Sequence, residues 1–227
     1  MRSYYVTPMA FRHGEDTIAA EANESESLSR YLALTGLPHA LDQPGGERVV
    51  WAAFPELAAP RARIFSALSE AVRVRHAVEI TYRSMGEPQP HKRLIFPHSL
   101  VRAGRRWLTR AFCDSSNAFR DYTLGRIVAA QLLDQPAVHS ETDDEAWQAR
   151  VPVRLIAHPD LMPAQEHVIR FEYFNDTASR VVTCRGALVA YLIQDIRAAV
   201  DLKWQRPPDY QIAVGNVNEV QRWLFPA

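Results

Sequence analysis

A chain of 227 residues with 26 Lys+Arg, 26 Asp+Glu and an apolar fraction of 47% is long enough for one large domain or two to three small ones, each with its own core. It contains nothing near the roughly 18 to 20 consecutive apolar residues of a membrane helix, which excludes a spanning segment of that kind. The balance of charge hides an asymmetry: residues 76–135 carry 9 Lys+Arg against 5 Asp+Glu, and all but Lys92 of those cations are arginines, the side chain suited to bidentate recognition of phosphate or carboxylate.

The opening "MRSYYVTPMAFRHGED" has no apolar run followed by a small-residue cleavage site, so a cytoplasmic protein with no membrane partner is expected. Cys113 and Cys184 sit far apart in apolar runs and read as reduced, buried thiols. A helix is expected over residues 24–34, where Leu28, Tyr31, Leu32 and Leu34 recur, stopped by Gly36 and Pro38. A Pro- and Gly-rich connector with one short strand, "RVVWAA", follows. After Pro60, Ile64, Phe65, Leu68, Ala71 and Val72 share one helical face.

The period then changes from 3.6 to 2. "AVEITYRS", "KRLIFPHSLVRAG", "RRWLTRAFC" and "FRDYTLGRIVAAQLL" read as four or five strands, with a turn at Ala103-Gly104 and a bulge or bend at Gly125. Short strands this closely spaced predict a small curved sheet or barrel. "HSETDDEAWQAR" reads as a solvated acidic linker. Beyond it, "VPVRLIAH" and "HVIRFEYF" read as strands, "RGALVAYLIQDIRAAV" as a helix covered on two sides, "DYQIAVG" as a late strand and "NVNEVQRWLFP" as a short helix capped by Asn216 or Asn218. The expected fold class is α+β: a helical connector over residues 1–76, a small barrel over 77–136 and a compact α/β domain over 148–227.

No Walker or dinucleotide glycine loop, G-x-S-x-G, H-E-x-x-H or C-x-x-C is present. The eight histidines lack ligand spacing, so no metal, no cofactor and no catalytic residue is expected, and the chain does not read as an enzyme.

"ITYRS", "KRLIFPHSLV", "RRWLTRAF" and "FRDYTLGRI" resemble, in order and spacing, the WYL domain, an Sm/SH3-like β-barrel of bacterial transcriptional regulators. The arginine after the family triplet and the "FRDYTLGRI" ending look most like the dimeric WYL repressors of phage-defence systems such as BREX and CBASS. "LIAHPDLMPAQEHVIRFEYF" and "CRGALVAYLIQDI" resemble the C-terminal extension of that subgroup, which implies a homodimer. The family triplet is here Trp107-Leu108-Thr109, so Leu108 stands where a tyrosine or histidine is usual. "YYVTPMAF" resembles the connector that follows the family's winged helix-turn-helix, and residues 1–75 show no two-helix unit with a basic recognition helix. Operator DNA is therefore expected to be read only through a helix-turn-helix absent from this chain.

The resemblance places ligand-facing positions at Tyr82 and Ser84 on the first strand, Arg93 and His98 on the second, Arg110 on the third, and Arg120 and Arg126 on the fourth. Arginines side by side on one sheet face would attract a phosphate-bearing ligand, a nucleotide or a short single-stranded nucleic acid. Tyr82 could stack on a base, with Ser84 and His98 hydrogen-bonding to its sugar or phosphate. The residues themselves leave other outcomes open. Arg120 could pair with Asp121 or Glu79, Tyr82 and Trp107 could be core residues, and His98 could be tied to backbone. The leading expectation is the ligand-sensing and dimerisation part of a WYL-type regulator, acting as a repressor. The alternative is a stand-alone interaction module that modulates a partner protein without touching operator DNA.

Overall fold

The computed structural model describes residues 60–104 and 106–225, which fall within one unit of the chain, Glu56–Ala227. The helix expected over 24–34 and the strand "RVVWAA" lie outside the described residues. Helix α1 (Ala62–Val74) follows Pro60 as its periodicity requires, burying Ile64, Leu68 and Ala71 on a stripe of i, i+4, i+7 spacing. It ends where Arg75 turns left-handed, at φ 56°, and donates its N–H to the Ala71 carbonyl, a closure that satisfies one of the last carbonyls.

The next strands are β1 (His76–Tyr82), β2 (His91–Ala103), β3 (Arg106–Cys113), β4 (Ala118–Thr123) and β5 (Ile127–Pro136). They form one antiparallel sheet in the order β4-β3-β2-β1-β5. No hydrogen-bonded ladder joins β4 to β5, so the sheet is open where a closed barrel was expected. A single 3-10 turn, Leu124–Arg126, carries the chain from one edge strand to the other. Gly125, expected as a bulge or bend, lies inside it.

Both faces of this sheet are covered. Val78, Ile80, Tyr82, Ile95, Ala111, Cys113 and Tyr122 pack with α1 on one side. Ala77, Phe96 and Phe112, with Phe119, Leu133 and Ala137, form a smaller core on the other. Residues directly opposite each other across a ladder point to the same face. By that rule Arg93, opposite Ile80, and Arg120, opposite Ala111, share the α1 side. Arg110, opposite Asp121, points to the other side.

The second sheet contains β6 (Arg150–Ala157), β7 (Ser179–Arg185), β8 (Ala198–Ala199) and β9 (Ile212–Val214), in the order β7-β6-β9-β8, with β8 and β9 parallel. The connector before it holds a one-turn helix, α2 (Glu145–Gln148). "HVIRFEYF", expected as a strand, lies in helix α3 (Pro163–Phe174). Its Phe and Tyr alternate at period 2, but Pro163 at the first helical position, the Gln165 side chain accepting from the Met162 N–H at 3.0 Å, and Asn175 left-handed at φ 51° frame a helix, and these end signals override the alternation. The expected long helix over "RGALVAYLIQDIRAAV" is shorter: a 3-10 turn, Gly186–Leu188, then α4 (Val189–Asp195), after which the chain enters β8. Helix α5 (Val217–Val220) follows Asn216, whose amide makes no capping bond to the helix backbone; it ties to β6, accepting from Arg154 N at 2.8 Å and donating to Pro152 O at 2.9 Å, and donates to Glu219 Oε2 at 3.1 Å.

The turn between β2 and β3 uses Gly104 at φ +53°, and a Cβ there would stand 2.9 Å from the Asp195 carboxylate at the end of α4. Glycine suits the left-handed turn, and the Asp195 side chain would have to move aside for any Cβ at this position. Leu68→Ala should destabilise the chain by about 2–5 kcal/mol, the range for a buried leucine that leaves a cavity. Met85→Ala, in the exposed β1–β2 turn, should change stability by less than about 0.5 kcal/mol; urea unfolding of both variants checks the contrast.

Candidate functional site

The expected single arginine face is divided between two sides of the sheet. On the α1 side, Arg93 donates to Ser115 Oγ at 3.0 Å and to Glu87 Oε2 at 2.9 Å. Arg120 donates its Nε to Ser116 Oγ at 2.8 Å. The two serines lie in the 3-10 turn Asp114–Ser116 between β3 and β4, and both guanidinium charges act on the Tyr122 hydroxyl. Glu87 belongs to the turn that Ser84 closes, its N–H donating to Ser84 Oγ at 2.8 Å. Arg126 enters from the Leu124–Arg126 turn beside the end of β1, where its carbonyl accepts the Arg83 N–H at 3.1 Å. No described residue forms a hydrogen bond or ion pair with the Arg126 guanidinium.

Tyr82 stands on the same side but in the core. Only 6% exposed, it packs edge-on against Tyr122 with centroids 5.0 Å apart, and its hydroxyl accepts the Thr123 N–H at 3.3 Å. A base could not stack on this ring without opening the core, so the expected stacking role is corrected to one of packing. Trp107 is likewise a packing residue, edge-on to Phe65 at 5.1 Å. Beneath Arg93 and Arg120 lies Cys113, free and buried. Burial would raise its thiol, but hydrogen bonds with Ser115, Ser116 and Tyr122 bring it down to about 7.

On the opposite side, Arg110 and His98 meet a residue of the acidic run, which is buried rather than solvated. Asp144, from "SETDDE", is 1% exposed. It accepts from Arg110 Nε at 2.7 Å on Oδ2 and from Arg110 Nη2 at 3.0 Å on Oδ1, a bidentate fork. His98 Nε2 lies 3.2 Å from the same Oδ2. His98 is the extra residue of a bulge in β2, between the Pro97–Ala111 and Ser99–Arg110 pairs, a device that re-aims one side chain. Asp144 also caps α2, its Oδ1 accepting the Trp147 N–H at 3.2 Å. The third guanidinium nitrogen of Arg110 donates to Asp121 Oδ1 at 3.2 Å, and Asp121 Oδ2 accepts the Tyr191 hydroxyl of α4 at 3.1 Å.

The electrostatics follow the geometry. Burial alone would push the Asp144 carboxyl up; the His98 and Arg110 hydrogen bonds outweigh it and hold the group well below the usual carboxylate range. Burial raises Asp121 against the pull of Arg110. Arg110, 11% exposed, has its charge matched by two carboxylates and is not a vacant anion site. The network runs on into the second sheet: Trp147 packs against His98 at 5.3 Å, and the Arg185 guanidinium of β7 covers the Trp147 ring at 4.4 Å.

The sequence alone points neither to Asp144 and Tyr191 nor to the pairing of Asp121 with Arg110 rather than Arg120. For Asp144 the one hint is of a cap, since Asp before "EAWQ" has the form of a helix N-cap. Among the described residues no group of three or more His, Cys, Asp or Glu is placed to hold a metal ion, and no helix is long and apolar enough to cross a membrane.

Asp144→Asn should cost about 3–5 kcal/mol at neutral pH, as expected when one partner of a buried pair loses its charge. A carboxyl held below its ordinary value of 3.8 contributes stability that is complete above about pH 5 and is lost as pH falls through that value towards the folded one. The difference between wild type and variant should therefore narrow at about pH 3. Urea unfolding at the two pH values measures it, and a difference that fails to narrow contradicts the assignment.

Comparison with known proteins agrees with this two-sheet division. The WYL domain family matches residues 63–132, and the family described as BrxR transcriptional regulator, C-terminal dimerization domain, matches residues 150–220. The chain is similar to the DNA-binding transcriptional repressor CapW of Pseudomonas aeruginosa, at 33% identity over 87% of this chain and 68% of that protein. CapW of Escherichia coli (strain KTE188) is 37% identical over 71% of this chain and 54% of its own length. For CapW of Stenotrophomonas maltophilia the figures are 30%, 69% and 52%. The chain thus spans about two thirds of the first relative and about half of the other two. It belongs to the family of CapW-like WYL transcriptional repressors, with a WYL domain followed by a BrxR-type dimerization domain.

Proposed function

We propose that this chain is the ligand-sensing and dimerising portion of a phage-defence repressor, and that it binds a nucleotide or short single-stranded nucleic acid through Ser84, Arg93, Arg120 and Arg126. One contrast carries the reading. Arg110 is neutralised by Asp144 and Asp121, whereas Arg120 bonds only to the neutral Ser116 hydroxyl and Arg126 has no partner among the described residues. Guanidinium charge left unmatched beside serine hydroxyls is suited to a phosphate. The order β4-β3-β2-β1-β5 supports a reading of residues 77–136 as an Sm/SH3-like module left open between β4 and β5, and we take 148–227 as the dimerising one. Ligand capture, with no chemical step, is the activity assigned. Contact with operator DNA by a helix-turn-helix would come from outside the described residues.

The same geometry supplies a route from ligand to dimer. Arg120 and Asp121 are neighbours on β4, and alternation sends them to opposite faces of the sheet. A ligand drawing on Arg120 would shift the strand that also holds Asp121, and with it the bonds to Arg110 and to Tyr191 of α4. The ligand would then favour one arrangement of the two modules, which is the differential affinity that allosteric coupling requires.

Fluorescence anisotropy with labelled oligonucleotides of about ten nucleotides, and calorimetry with cyclic dinucleotides, test the reading. Removing a charge-assisted hydrogen bond is worth about 1.5–3 kcal/mol, so Arg120→Ala combined with Arg126→Ala should weaken binding at least about tenfold. The double variant should also flatten the dependence on salt. Arg63→Ala, on the exposed side of α1, should leave both unchanged; equal affinities in all three proteins would contradict the proposed site.

A further inference from the structure

Helix α3 is apolar on two opposite sides. Ile169 and Phe174 are buried in the second core. At 100° per residue, Ala164, Val168 and Phe171 fall on a stripe nearly opposite, and there Val168 is 57% and Phe171 70% exposed. Scattered exposed apolar residues need no explanation, but a rigid stripe of them on one helix marks a contact surface. The helix lies inside residues 150–220, the part that matches a dimerization domain.

We propose that the outer stripe of α3 is the centre of the homodimer interface, meeting the same stripe of a second copy across a two-fold axis. Antiparallel packing centred between residues 167 and 168 sets the small Ala164 against the partner's Phe171, and the reverse, and brings the two Val168 side chains together near the axis. A stripe with its small residue at one end and its large one at the other is self-complementary in that arrangement, as an isologous contact must be. The antiparallel direction also sets opposite helix ends side by side.

A helix of 12 residues is about 18 Å long, so this seam is the apolar centre of a larger contact; a stable dimer buries about 1,200–2,000 Å² in all. Two other surfaces of the domain are less suited. Trp204 is 76% exposed, but Asp201, Lys203 and Arg206 surround it in sequence and Lys203 Nζ already lies 5.0 Å from its ring centre. Edge strand β7 carries Ser179 and Arg180 near one end and Arg185 at the other, and charged residues along an edge strand discourage pairing with a copy.

The inference rests on the dimeric reading of the chain and owes nothing to the ligand. Sedimentation equilibrium of the full chain tests it, with circular dichroism and thermal melting to confirm that each variant is folded. Wild type should be a dimer, and Phe171→Glu and Val168→Glu should each raise the dimer dissociation constant at least about tenfold, as expected for the centre of an interface. Trp204→Glu should leave it unchanged. A wild-type dimer untouched by both α3 variants, or dissociated by Trp204→Glu instead, would overturn this surface alone. A monomeric wild type would overturn the dimeric reading with it.

Discussion

The bidentate bond from Arg110 to Asp144 fastens the first sheet to everything after it. Asp144 lies in the connector, caps the helix that leads into the second sheet and carries a charge that burial would otherwise disfavour. Arg110 answers that charge, and its remaining reach passes through Asp121 to Tyr191 in α4. Two carboxylates and one guanidinium in a dry site are costly to assemble and costly to break singly, so the relative placement of the two sheets is specified by polar pairing as well as by packing.

This constraint also separates the arginines by role. Arg110, on one side, is spent on architecture. Arg93, Arg120 and Arg126 stand on or beside the other side, near hydroxyls and with fewer carboxylates, and they carry the proposed recognition. Because β4 holds Arg120 and Asp121 as neighbours, the two roles touch at one point of one edge strand. The dimerising surface on α3 lies in the second sheet's domain, which the Arg110 network reaches through Tyr191 and through the Arg185 guanidinium over Trp147.

Much of this was legible in residue order, and the misreadings have definite causes. Helix α1 and strands β1 to β5 are strongly periodic segments bounded by Pro60, Gly104 and polar turns, and their pattern leaves little choice. Helix α3 was misread because its aromatic alternation outweighed, in that reading, the Pro163 and Gln165 start signals. The arginine face was misjudged because which side Arg110 takes relative to Arg120 depends on the register of β3 against β4, and counting residues along a chain does not supply a register. The burial of Asp144 is not legible in the sequence, because an acidic run looks the same whether or not one of its members turns inward.

Arg110 and Asp144 act as one unit joining the two sheets. A double-mutant cycle on Arg110→Met and Asp144→Asn, followed by urea unfolding at neutral pH, measures that coupling directly. The account predicts that each single change destabilises strongly, that the double variant is much more stable than the sum of the singles implies, and that the coupling exceeds about 1.5 kcal/mol. Additive single effects, with a coupling near zero, would contradict it.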